Sequence, residues 1–88
     1  MISTNQITRT PAEIASLVTF TIARVGGEMW LFSFEPWEIA AAIEVRPEIA
    51  TKLQSMAMHS KAMEIVWSRA KAILDSRAAA LAIEELLT

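Results

Sequence analysis

The sequence predicts an all-α protein, a compact bundle of four to five short helices, and three observations carry that prediction. Proline stands at three helix-start patterns, Thr10-Pro11-Ala12-Glu13, Glu35-Pro36-Trp37-Glu38 and Arg46-Pro47-Glu48. At the first helical position its missing N–H costs nothing, and Glu in the first turn suits the positive end of the helix dipole. Apolar residues recur at helical spacing along most of the chain. Only two Gly and three Pro in 88 residues leave few breaks.

Taken in order, residues 1–9 read as a flexible N-terminal arm and residues 10–88 as a single helical domain. Thr10 and Glu13 fit a capping box, after which Ile14, Leu17, Val18, Ile22 and Val25 form an apolar stripe ended by Gly26-Gly27. An α+β alternative stands beside this reading. Val18-Thr19-Phe20-Thr21-Ile22 alternates and is rich in β-branched residues, so residues 18–34 would make a hairpin around the glycines. After Pro36 a short helix is expected to about Ile43, then one from Pro47 to about Met58, with His59-Ser60 as a joint. The remaining chain carries Ala62, Met63, Val66, Trp67, Ala70, Ile73, Leu74 and Leu81 on one face of an amphipathic helix. Asp75-Ser76-Arg77 interrupts that stripe, so the Ala-rich end from Ala78 to Leu87 is either a separate short helix or a continuation.

Composition excludes several classes. A chain that is 53% apolar and 20% charged is neither disordered nor of low complexity. The mean hydropathy of +0.36 is high for a 9.7 kDa chain, which cannot hide that much apolar surface alone. Some of it is therefore expected to meet another chain, and a homodimer is the simplest form. Net charge is −2, so no strong basic field recruits nucleic acid and no acidic tail is present. The absence of cysteine excludes disulfides and thiolate metal sites and fits a cytoplasmic protein. The longest apolar run, Ala78 to Ile83, is far short of a membrane span, and the amino terminus lacks a secretory pattern.

Catalytic groups are scarce: one His, one Asp, no Cys and no Tyr. A Ser-His-Asp site would have to use His59 and Asp75, without a nucleophile elbow or a glycine-rich oxyanion turn. One imidazole is too few for zinc, and no Gly-rich phosphate loop is present. No enzyme activity, cofactor or metal is expected.

The aromatics carry more information. Residues 28–34 with Trp37 contain four of the six aromatic residues, which serve either as core or as the anchors of a protein interface. Trp30, Phe32, Phe34 and Trp37 are accordingly candidate partner-binding residues. Met56, Met63 and Trp67 join them, because thioethers adapt to irregular apolar surfaces. Met63, Val66, Ala70 and Ile73 have a heptad-like spacing that would suit self-association.

Residues 37–53, Trp-Glu-Ile-Ala-Ala-Ala-Ile-Glu-Val-Arg-Pro-Glu-Ile-Ala-Thr-Lys-Leu, resemble the helix-turn-helix of bacterial and phage regulators. Ala40, Ile43, Val45 and Leu53 match its packing positions, whereas Glu44 stands where that family places a glycine and Ala50 where it places a larger residue. The resemblance implies DNA contacts from Arg46, Thr51 and Lys52, with Lys61 near phosphate. So few cations among acids neutralise few phosphates, which leaves nucleic acid the less favoured partner. In size, helicity and poverty of catalytic groups the chain is similar in general character to small phage-encoded inhibitors, anti-CRISPR proteins among them. The function expected first is thus a non-enzymatic interaction module that regulates or inhibits a larger protein, and the alternative is a helix-turn-helix transcriptional regulator.

Overall fold

The computed structural model describes residues 9–87, so of the arm expected at 1–9 only Arg9 falls among them. Five helices follow: α1 (Pro11–Ala23), α2 (Gly27–Leu31), α3 (Pro36–Val45), α4 (Glu48–Ala57) and α5 (Lys61–Leu87). Among the described residues no strand forms, so the 18–34 hairpin alternative is corrected to the end of α1, a turn and α2.

The physical reason lies in the cap and in the two threonines. Thr10 Oγ1 accepts from the Glu13 amide at 3.2 Å while Glu13 Oε1 accepts from the Thr10 amide at 2.8 Å, closing the capping box. Thr19 and Thr21, which suggested a strand, donate their hydroxyls to the carbonyls of Ala15 (2.8 Å) and Leu17 (2.7 Å) one turn back. Ile14, Ala15 and Val18 are buried, but the stripe is shorter than expected. The helix ends at Ala23, which leaves Val25 fully exposed.

The Gly26-Gly27 pair then does two different jobs. Gly26 has φ +75°, in the left-handed region. Gly27 has an ordinary φ, but a Cβ on it would lie 1.9 Å from the Thr21 carbonyl oxygen, so only glycine lets α2 turn back this tightly on α1. A second capping box opens α3, where Glu38 Oε1 accepts from the Glu35 amide at 2.8 Å. Ser60 opens α5 by accepting from the Met63 amide at 3.3 Å.

One contiguous core joins the helices. Ile14 and Val18 of α1, Leu31 of α2, Ile39 and Ile43 of α3, Ile49 and Leu53 of α4, and Met63, Val66 and Ala70 of α5 make it. Arg46, between α3 and α4, donates to Thr19 Oγ1 and Ser16 Oγ at 3.2 Å each and ties that turn to α1.

Of the two alternatives for the Ala-rich end, the continuation holds: α5 runs unbroken for 27 residues, longer than the short helices expected of the bundle. Two of the three polar residues where the stripe is interrupted, Asp75 and Arg77, have partners. Lys71 Nζ reaches Asp75 Oδ2 at 2.8 Å, and Arg77 reaches Glu44 Oε1 at 2.6 Å. Helix α3 runs beside α5 in the same direction, with Pro36 and Ile39 level with Val66 and Arg69 at one end and Glu44 level with Arg77 at the other. Beyond Arg77, α5 continues for about 15 Å of helix, and every residue from Asp75 to Leu87 is exposed. No helix among the described residues is long and apolar enough to cross a membrane.

Candidate interaction surface

The candidate aromatics separate by direction, since adjacent helical residues point about 100° apart. In the single turn of α2, Leu31 points inward and is completely buried, while Met29 and Trp30 point outward with 79% and 59% of their surface exposed. Phe32 and Trp37 are also about half exposed. Phe34 is half-buried and packs against the core. The aromatic hub is therefore mixed: Leu31 and Phe34 fasten it, and Trp30, Phe32 and Trp37 face solvent.

The methionine cluster goes the other way. Met63 is fully buried, and Met56 and Trp67 are partly buried against it, so all three pack within this chain. The heptad-like set Met63, Val66, Ala70 and Ile73 likewise turns inward, with the first three in the core and Ile73 half-buried. That face is occupied by the chain's own helices and is not a seam for a second copy.

Around Trp30 the surface is concave. Leu17, Phe20, Trp30 and Phe34 line a groove whose rim carries Arg9 and Arg24 and, among the described residues, no carboxylate. The Arg24 guanidinium sits 5.6 Å from the centre of the Phe20 ring, a cation–π distance. Glu13, one turn from Arg9, is held below the usual carboxylate range, chiefly by the Thr10 backbone amide, then by the Thr10 hydroxyl, with Arg9 adding a smaller effect. Phe34 also borders a second, narrower cleft of about 40 Å³ with Phe32, Pro36, Ile39, Val66 and Arg69. That space holds a water or two and no substrate.

Phe20, Met29 and Arg24 were not among the residues picked out from sequence. Phe20 carried a signal, since it lies off the buried stripe of α1. Met29 carried none, because its direction depends on how the glycine pair aims α2, and Arg24 carried none, because it lies just past the end of α1.

The residues suggested by the helix-turn-helix resemblance differ in exposure. Thr51, Lys52 and Lys61 are exposed, on α4 and at the start of α5. Arg46 is half-buried and spends its guanidinium on Thr19 and Ser16. The turn between α3 and α4 contains no left-handed residue, and Glu44 continues the helix where the resembled family has its glycine. Among the described residues no three His, Cys, Asp or Glu side chains gather as a metal site requires. Comparison of the chain with protein families, with curated proteins and with solved structures finds no match.

Proposed function

We propose that this protein is a non-enzymatic interaction module that regulates or inhibits a larger protein by covering part of its surface. The observation that carries the reading is the exposed groove lined by Phe20 and Trp30; outside it, Met29, Phe32 and Trp37 are also at least about half open to solvent. A concave surface that exposes large aromatic side chains is the kind of patch that meets a partner. Tryptophan in such a patch is the residue type that most often dominates binding energy. Arg9 and Arg24 on the rim favour a partner surface that is apolar at its centre and acidic around it. A small inhibitor of the kind that phages encode is the form that general character favours.

The test is capture of the partner from cell extract by the wild-type protein and by Trp30→Ala, each checked by thermal melting. Loss of capture with helicity retained supports the reading; equal capture by both proteins refutes the role of Trp30. DNA regulation remains the alternative class, and the engagement of Arg46 within the fold weighs against it. Titration onto random duplex DNA at about 50 mM and about 200 mM salt separates the two, because DNA binding weakens steeply with salt. No binding at the lower salt is the expected result.

A further inference from the structure

The cations of this chain divide by whether they are already engaged within it. Lys61, Lys71 and Arg77 pair with the carboxylates of Glu64, Asp75 and Glu44, and Arg46 is spent on Thr19 and Ser16. Arg24 and Arg69 are exposed and lie within ion-pair distance of no carboxylate among the described residues. Lys52 on α4 shares that condition but borders neither apolar depression. Arg24 stands at the groove of Phe20 and Trp30 and Arg69 at the cleft of Phe32 and Val66, and the two depressions adjoin at Phe34. Arg9 is a further cation at the groove, with Glu13 near it. Glu35, between Phe34 and Pro36 in sequence, lines neither depression, and Glu38 is turned to the Glu35 amide.

We infer that the occupant of the groove and cleft is an acidic linear segment of the partner protein. A bulky apolar side chain fills the groove, a smaller apolar tip enters the cleft, and carboxylates meet Arg24 and Arg69. This rests on the interaction reading above and names the chemistry of what is bound. Shape selects a protruding chain over a flat surface, because a cleft of about 40 Å³ is reached only by a side-chain tip. Charge selects the acids. A guanidinium without a carboxylate of its own offers a fork of N–H donors that a carboxylate accepts in pairs, more strongly than a neutral acceptor does. Arg24 is already held over the Phe20 ring at 5.6 Å, so its fork sits beside the aromatic wall on which the apolar side chain would pack.

Selection from a displayed library of random peptides about twelve residues long, with the full chain as target, tests this. Peptides selected by the wild type should carry several Asp or Glu beside large apolar residues. No selection, or selection of peptides without acids, overturns the inference. Arg24→Glu with Arg69→Glu changes two exposed side chains and should leave the circular dichroism unaltered. It should bind the selected acidic peptide at least about tenfold more weakly and select peptides rich in Lys and Arg instead. Arg24→Gln with Arg69→Gln, which removes the charge without reversing it, should lose the acidic preference. An unchanged preference in either double variant overturns the inference. Nucleic acid is the rival polyanion: a random single-stranded oligonucleotide that displaces the selected peptide more effectively than unlabelled peptide does, at about 150 mM salt, overturns it too. Partner capture that is lost in Trp30→Ala yet retained in both double variants would leave the interaction reading standing while this inference falls.

Discussion

Leu31→Ala probes the placement of the aromatic face most sharply, because one buried side chain sets the direction of the whole α2 turn. Leu31 is completely buried and its neighbour Met29 is 79% exposed. Removing three buried carbons at about 0.8 kcal/mol each withdraws about 2.4 kcal/mol, and the cavity left in a close-packed core raises the loss to about 3 to 5 kcal/mol. A chain of 88 residues has a total stability of about 4 to 13 kcal/mol, so this single change removes a large share. Met29→Ala, two positions away, should cost no more than about 0.5 kcal/mol. Urea unfolding followed by circular dichroism, with both variants beside the wild type, measures the two numbers on one scale. A cost below about 1 kcal/mol for Leu31→Ala, or equal costs for the two variants, would refute the orientation of α2 and the outward placement of Trp30 with it.

The glycine pair should respond unequally. Gly26→Ala meets open space and costs about 1 to 2 kcal/mol for its left-handed backbone, whereas Gly27→Ala drives a methyl into the Thr21 carbonyl and costs the upper end of about 1 to 3 kcal/mol or more, read by urea unfolding. Arg46→Ala should lower stability by about 1 to 2 kcal/mol through loss of the Thr19 and Ser16 contacts; unchanged stability would return Arg46 to the candidates for an outside partner. The carboxyl of Glu13 is held below its ordinary value by the Thr10 amide and hydroxyl. Its contribution is complete above the unfolded pKa and is lost as pH falls through the lowered folded one. Thermal melts from about pH 6 down to about pH 2.5 should show that loss in the wild type and less of it in Glu13→Gln.

Much of the fold is legible because local chemistry and tertiary packing agree. The prolines at 11 and 36 and the glutamates three residues after each cap mark α1 and α3 before any packing is considered, and both boxes form. The hairpin alternative arose because Thr19 and Thr21 favour strands only while their hydroxyls lack the carbonyl one turn back. Asp75-Ser76-Arg77 leaves the helix end open in the sequence because it marks the end of a buried stripe, which is not the end of a helix. Burial stops there, while helix propensity continues through an alanine-rich run.

The site was less legible for a geometric reason. Trp30 and Leu31 are adjacent and both apolar, and nothing local says which one faces in. That choice is made by Gly26 and Gly27, whose tight return against Thr21 aims the α2 turn. Met63 reads equally as core or interface in the sequence, because a methionine stripe suits both, and its complete burial decides for core.

Hydroxyl-radical footprinting of the protein, free and bound to its captured partner, locates the binding face. In the free protein Met29, Trp30 and Phe20 should react readily while Met63 stays protected, as their exposure dictates. On binding, protection should appear at Phe20, Met29 and Trp30 and leave the exposed face of α4 unchanged. Protection centred on Thr51, Lys52 and Lys61, with Trp30 as reactive as before, would contradict the account.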